Sequence, residues 1–139
     1  MIRKHTEKDL ESIMKIWHES SALAHPFLKS AFVQKVANDM RNIYIPGSDT
    51  WVYEHDGVII AFISMIGNEI GGLFVLPDHH SQGLGSQLLN FVKEFNDQLE
   101  VEVFEKNEIG RSFYKKSGFS ILKQYIHEES GEKVLRLTN

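Results

Sequence analysis

The segment PDHHSQGLGSQLL, residues 77–89, holds the residue types of this chain best suited to binding an anion. It joins an apolar stretch that is typical of a strand end, residues 74–76, to a helix predicted over 84–95. The first N–H groups of such a helix are unpaired, and the helix macrodipole adds partial positive charge there. Gly83 and Gly85 would let phosphate oxygens approach without a Cβ in the way. The spacing is neither that of a P-loop nor GxGxxG, so on spacing alone an ordinary turn and a phosphate cradle both stay open.

The composition excludes several classes of site. The chain has 139 residues, 42% of them hydrophobic, which predicts a single domain over 1–139 with its own core. It has no cysteine, so disulfides, thiolate metal sites and a cysteine nucleophile are excluded. The 7 histidines show no metal-ligand spacing, since the adjacent His79 and His80 cannot readily chelate one ion, and we predict no metal.

The charge and the apolar pattern bear on partners and location. A net charge of −4 argues against a nucleic-acid partner, because such proteins usually present a basic face. The start MIRKHTEKDL lacks the apolar core of a signal peptide, and the run GVIIAFISMIG is too short to span a membrane. We expect a soluble, cytoplasmic protein that does not engage membranes.

The elements that must position the loop are predicted in the order β-α-α-β-β-β-α-β-α-β-β. Asp56-Gly57 is a type I′ hairpin signal between two runs rich in β-branched and aromatic residues. A second helix is expected over 31–40, broken by YIPGS at 44–48. Asn107 would open, and Gly118 close, a short later helix. The fold class is therefore α/β, with a mixed sheet flanked by helices.

Two motifs together resemble the GNAT (GCN5-related N-acetyltransferase) superfamily. LFVLPDHHSQGLGSQLL is similar to its pyrophosphate-binding motif, Arg/Gln-x-x-Gly-x-Gly/Ala after a strand, with His80 where Arg or Gln is usual. NEIGRSFYKKSGF at 107–119 is similar to its later signature, N-x-x-(A/G)-x-x-F-Y-x-x-x-G-F. The resemblance covers essentially the whole chain. It implies a largely antiparallel mixed sheet with about four helices, splayed where acetyl-CoA binds.

The resemblance implies an enzyme that moves an acetyl group from acetyl-CoA, its co-substrate, directly to a primary amine. The strand backbone at Leu73, Phe74 and Val75 would pair with the pantetheine arm. Gly71-Gly72 fits a bulge that opens the sheet there. Asn107 would contact the arm from the other side. The pyrophosphate would be held by the backbone of His80, Ser81, Gln82, Gly83, Leu84, Gly85 and Ser86.

Two residues would carry the chemistry. Tyr114 matches the family's general acid, and a phenol with a pKa near 10 keeps its proton at neutral pH and can donate it to the leaving thiolate. The alternative for Tyr114 is a packed aromatic. Glu69 matches a strand-borne catalytic base, the alternative being a solvated carboxylate at a strand end. In ALAHPFL, His25 and Phe27 would line the acceptor pocket, or simply pack.

Several functional alternatives stay open. The chain could be a catalytically silent acyl-CoA-binding sensor, which the presence of Tyr114 and Glu69 argues against. It could be a tRNA-directed acetyltransferase, which the acidic net charge argues against. The acceptor could be a protein lysine, a protein N-terminus or a small amine, and the acyl group could be longer than acetyl. Either a monomer or a homodimer is compatible with the sequence.

Overall fold

Seven strands form one mixed sheet in the computed structural model, which describes all residues, 1–139. The strand order is β1-β2-β3-β4-β5-β7-β6. The strands are β1 (Ile2–Lys4), β2 (Asp49–His55), β3 (Val58–Ile66), β4 (Glu69–Val75), β5 (Glu100–Phe104), β6 (Ser120–Ile126) and β7 (Lys133–Thr138). The helices are α1 (Leu10–Ala24), α2 (Ser30–Asp39), a single turn α3 (Ile45–Gly47), α4 (Leu84–Lys93) and α5 (Glu108–Lys116). The predicted element order and fold class are confirmed.

The β2–β3 hairpin forms as its turn residues predict. Asp56 has φ 51° and Gly57 has φ 79°, and two successive positive φ values define a type I′ turn. The twist of this turn matches that of the flanking strands, so β2 and β3 pair along their full lengths with one irregularity at Tyr53/Glu54.

Hydrophobic residues of β3 alternate between two cores on opposite faces of the sheet. Phe62 packs with α1 residues such as Ile13, whereas Ala61 and Ile63 pack with α4 residues such as Leu88. Successive side chains of a strand point to opposite faces, so a nearly continuous apolar strand serves both cores. α1 and α2 therefore cover one face, and α4 and α5 cover the other.

The second helical segment runs past the predicted 31–40, and its break falls at Gly47–Ser48, within the predicted segment 44–48. α2 continues through a π turn, Met40–Tyr44, into α3, so the backbone stays helical to Gly47. Pro46 has no N–H to donate to the preceding turn, and the helical backbone ends one residue later, at Gly47. None of the helices is both long enough and apolar enough to cross a bilayer.

The sheet splits between β4 and β5, the one parallel pair. The two strands are paired only at Glu69↔Glu100 and Ile70↔Val101. Just beyond, Met65 of β3 pairs with Ile70 while Ser64 pairs with Gly72, which leaves Gly71 as an extra, bulged residue. A bulge bends its strand, so β4 turns away from β5 and a gap opens between them. The predicted role of Gly71-Gly72 in opening the sheet is seen in this register.

Candidate active site

A cleft of about 1140 Å³ occupies the gap between β4 and β5. It is larger than the pockets that usually hold drug-sized ligands. Its walls come from α1, the divergent halves of β4 and β5, the loop before α4, and α5. The predicted site residues in its lining are His25, Leu73, Phe74, Val75, His80, Ser81, Gly83, Leu84, Gly85, Ser86, Asn107 and Tyr114. The fold thus brings most of the predicted site together around one cavity.

The loop before α4 offers a run of free amides to this cleft. Ser81 (φ 66°) and Gly83 (φ 79°) both adopt left-handed backbone conformations. The first helical bond of α4 runs from Gln87 N–H to the Gly83 carbonyl, and the N–H groups of residues 81–86 donate to no protein acceptor. Successive amides of this kind, at the positive end of a helix dipole, form a site suited to phosphate oxygens.

Glycine is required at the two positions of the loop for different structural reasons. A Cβ at Gly83 would meet nothing within 4 Å, so this position needs glycine for its φ of 79° and leaves the space outside it open. A Cβ at Gly85 would lie 3.1 Å from the Phe113 ring of α5. Glycine at position 85 thus also lets α4 and α5 approach closely, while its N–H remains part of the free amide run.

The backbone of β4 presents alternate residues to the gap. Leu76 N–H donates to the Ile60 carbonyl on β3 at 2.9 Å. Alternate residues of a strand direct their backbone groups to opposite sides, so the amides of Val75 and Leu73 point away from β3, into the gap between β4 and β5. The amide of Phe74 faces β3, which corrects the prediction that all three residues offer their backbone to the gap. The Val75 carbonyl already accepts from Ser20 Oγ at 2.8 Å.

His80 ties the loop to the end of β4. Its Nε2 lies 2.9 Å from the Val75 carbonyl, to which it donates. This bond spans the 3₁₀ turn Pro77–His79 and fixes where the loop leaves the strand. The side chain of His80 therefore has a local structural role, alongside the amide run that follows it.

Tyr114 lies on α5 with 5% of its surface exposed. Its ring packs edge-on against Phe113 and Phe119, with centroids 5.1 and 5.2 Å apart. Its hydroxyl has no protein partner, yet it is not one of the polar atoms cut off from solvent, so it opens on the cleft. Burial raises the pKa of Tyr114 above the ordinary tyrosine value, so the phenol stays protonated at physiological pH.

Asn107 and His25 meet across the cleft. Asn107 caps α5, its Oδ1 accepting from Gly110 N–H at 2.9 Å. Its Nδ2 lies 3.2 Å from Nε2 of His25, at the end of α1. Burial lowers the pKa of His25 to about 4, so the imidazole is neutral at pH 7.

Three predicted site residues lie outside the cleft lining: Gln82, Phe27 and Glu69. Gln82 is exposed and bonds to His79 at 3.1 Å. Phe27 packs edge-on against His25 and so supports the wall from behind. Glu69 accepts from Arg136, which also donates to Glu100 at 2.8 Å. This position does not support Glu69 as the base, because the residue does not line the cavity.

The structure adds residues that sequence reasoning missed. Glu102 lines the cleft, and its carboxylate accepts from the Tyr125 hydroxyl and, at 3.5 Å, from Arg136. The alternation of β5, with Val101 and Val103 buried, was the available signal that Glu102 faces the other side. Ser21 also lines the cleft, and its buried hydroxyl has no hydrogen-bond partner. No sequence motif marks Ser21.

Comparison with protein families finds one matching model. Residues 46–121, more than half of the chain, match the model described as an acetyltransferase (GNAT) domain. The match includes β2 to α5 and thus the amide loop, Asn107 and Tyr114.

Individual proteins are similar over nearly the whole chain. The chain is 32% identical over 123 residues to the peptidyl-lysine N-acetyltransferase YiaC of Escherichia coli, covering 88% of this chain and 84% of that protein. The solution structure of apo YjaB from Escherichia coli superposes with a TM-score of 0.89 and 25% identity, covering 99% and 95% of the two chains. The PaiA N-acetyltransferase of Thermoplasma acidophilum, solved in complex with coenzyme A, shares the fold with a TM-score of 0.76 and 20% identity over 98% and 96%.

Proposed function

The chain belongs to the GNAT acetyltransferase family and is an acyltransferase, and from that premise we propose that it acetylates the ε-amine of protein lysines with acetyl-CoA. The observation that carries this proposal is one cavity that has a run of free amides at one end and the Tyr114 phenol in its wall. We propose that residues 1–139 act as a single N-acetyltransferase domain, since one sheet carries every element of the site.

The proposed binding mode assigns each part of acetyl-CoA to a feature of the cleft. The amides of residues 81–86 would hold the pyrophosphate, because they are donors without protein acceptors. The backbone of Leu73 and the N–H of Val75 would pair with the amide groups of the pantetheine arm, which takes the place of the strand missing beside β4. Asn107 would reach the arm from the opposite wall.

The proposed reaction is a direct transfer. The acceptor amine attacks the thioester carbonyl carbon, a C–N bond forms and the C–S bond breaks. The amine gives one proton to Glu102, directly or through water. The sulfur takes a proton from the Tyr114 hydroxyl, which later regains one from solvent. Burial raises the pKa of Tyr114, which keeps the phenol protonated until negative charge develops on the sulfur.

We propose Glu102 in place of Glu69 as the carboxylate that faces the incoming amine, because Glu102 lines the cleft and Glu69 does not. Glu102→Gln should lower kcat near neutral pH and recover partly at high pH, where the amine deprotonates unaided. Glu69→Gln, which also removes a partner of Arg136, is the matched control and should leave the shape of the pH–rate profile unchanged. The reverse pattern would restore the role to Glu69.

A lysine acceptor is supported by the relatives named peptidyl-lysine N-acetyltransferase, YiaC among them. The test uses two peptides and acetyl-CoA, with products located by mass spectrometry. One peptide has a blocked N-terminus and a single lysine, and the other has a free N-terminus and arginine in place of lysine. We expect acetylation of the first alone. Acetylation of only the second would reassign the acceptor, and turnover of neither peptide, nor of a panel of small amines, would contradict the function.

A further inference from the structure

A hydrogen bond between side chains joins the two walls of the cleft. His25 ends α1, on the face of the sheet that α1 and α2 cover, and Asn107 begins α5, on the other face. Their side chains meet at 3.2 Å, between His25 Nε2 and Asn107 Nδ2. Both residues line the cleft, so the contact lies where the substrate must pass.

The neighbouring bond determines which atom donates. Gly110 N–H is 2.9 Å from Asn107 Oδ1, and only the oxygen of a carboxamide can accept from it. Nδ2 therefore faces His25 and donates to Nε2, which must be the unprotonated ring nitrogen. The proton of the neutral imidazole is then on Nδ1. Burial favours this neutral form, since it lowers the pKa of His25 to about 4.

Both partners are held in place by their surroundings. The imidazole packs edge-on against Phe27 and Phe104, with centroids 5.9 and 5.1 Å away. A Cβ at position 110 would lie 2.6 Å from Asn107 Nδ2, so only glycine there leaves room for the carboxamide. With Oδ1 and one N–H committed, Asn107 has one N–H that donates to no protein acceptor.

We propose that His25 is a positioning residue for the co-substrate: by accepting one N–H of Asn107, it directs the other N–H at the pantetheine arm. The inference rests on the proposed acetyl-CoA function, since it assigns the arm to the gap between β4 and β5. An amide carbonyl of the arm is the acceptor that this N–H requires. His25 then acts through Asn107, without taking part in proton transfer to or from the amine.

The test compares two ligands that differ in the arm. CoA contains it, whereas 3′-phospho-ADP keeps the pyrophosphate and lacks the arm. His25→Leu removes the acceptor nitrogen and fills a similar volume with an apolar side chain. Calorimetry measures the affinity of the variant and of the wild type for each ligand. We expect the Kd for CoA to rise roughly three- to tenfold, as for one lost hydrogen bond, and the Kd for 3′-phospho-ADP to stay unchanged. His25→Gln, whose side-chain oxygen can accept from Asn107, should recover most of the CoA affinity.

The controls separate this inference from the function on which it rests. His55→Leu, at an exposed histidine of the β2–β3 hairpin, should change neither affinity. Equal losses for both ligands, or unchanged CoA binding by folded His25→Leu, would overturn the role of His25 while leaving the acetyltransferase assignment intact. Failure of the wild type to bind CoA would instead contradict the proposed function. If His25→Leu does not fold, Asn107→Asp takes its place in the test, since it keeps the helix-capping oxygen and lacks N–H donors. This variant must weaken the binding of CoA and leave the binding of 3′-phospho-ADP unchanged.

Discussion

Tyr114 combines two properties that usually belong to different residues. It is a core residue, buried to 5% exposure against Phe113 and Phe119, and its hydroxyl is unpaired and opens on the cleft. Because this hydroxyl reaches the cleft and has no protein partner, it is free to bond to a ligand there. The ring supplies packing, and the oxygen is available for proton donation.

Tyr114→Phe should separate these two contributions. The ring and its packing remain, so the variant should fold and bind acetyl-CoA with nearly wild-type affinity. The acetyl-transfer rate should fall by roughly 10²- to 10⁴-fold, the typical contribution of a positioned proton donor. Single-turnover kinetics are the proper measurement, since slow product release would mask the loss in kcat.

The alkaline limb of the pH profile provides an independent check on the same residue. Because burial raises the pKa of Tyr114 above the ordinary value of 10, its ionisation should not lower the single-turnover rate at or below pH 10. For the substitution described above, a wild-type single-turnover rate in Tyr114→Phe would show that the residue only packs.

At the level of elements, α4 and α5 are packed through a contact between Gly85 and Phe113. This contact connects the helix that begins at the amide loop with the helix that carries Tyr114. The separation of the proposed phosphate and thioester sites is therefore set by the packing of two helices, both of which contribute to the same core.

Gly85→Ala should test that packing. Alanine favours the helix, but its Cβ would lie 3.1 Å from the Phe113 ring, so we expect a net loss of about 1 kcal/mol in unfolding free energy. In a Phe113→Leu background, where the ring is gone, the same change should be stabilising. Urea unfolding of the four proteins measures the coupling, and equal effects of Gly85→Ala in both backgrounds would show that Phe113 does not oppose a side chain there.

At the scale of the whole molecule, the splayed sheet has to be held together around its own gap. β4 and β5 share only two residue pairs, so contacts across the cleft, such as that of His25 with Asn107, join the two halves. A protonated His25 could not accept from Asn107. The stability of the fold should therefore depend on the protonation state of His25.

Acid should weaken the fold in a defined pH window. The pKa of His25 falls from 6.5 to about 4 on folding, so between these values the unfolded chain binds more protons than the folded one. This contribution to stability is complete above pH 6.5 and is lost as the pH falls toward 4, by at most about 3 kcal/mol. Urea unfolding at pH 7 and pH 4.5 should show a smaller acid loss in His25→Gln than in the wild type.

The Arg3–Asp9 pair should not confuse this measurement. The hydrogen bonds from Arg3 lower the pKa of Asp9 to about 2 from 3.8, so its contribution is lost only below the window in which His25 titrates. An identical acid loss in wild type and His25→Gln would contradict the assignment of the neutral imidazole.

Local patterns were sufficient for the elements and for much of the site. Asp56-Gly57 specifies its turn through positive φ values, and the spacing of Leu84, Leu88 and Val92 specifies the buried face of α4, because both depend on near neighbours in the chain. Asn107 caps α5 for the same reason. The two motifs also placed the amide loop before α4 and Tyr114 on α5, as the structure has them.

What the sequence by itself determined is therefore the order of elements, the family and the candidate residues in its motifs. Only the tertiary structure decided which of those residues share the cleft. Glu69 was assigned by its place along a strand, but the neighbouring strands bring Arg136 to its carboxylate. Gly85 was assigned to phosphate, and the packing of α5, which places Phe113 where a Cβ would lie, gives a second reason for glycine there. His25 and Asn107 are 82 residues apart, and the bond between them depends on where the end of α1 and the start of α5 meet at the cleft. Such contacts depend on long-range geometry, which the local pattern of a single chain does not encode.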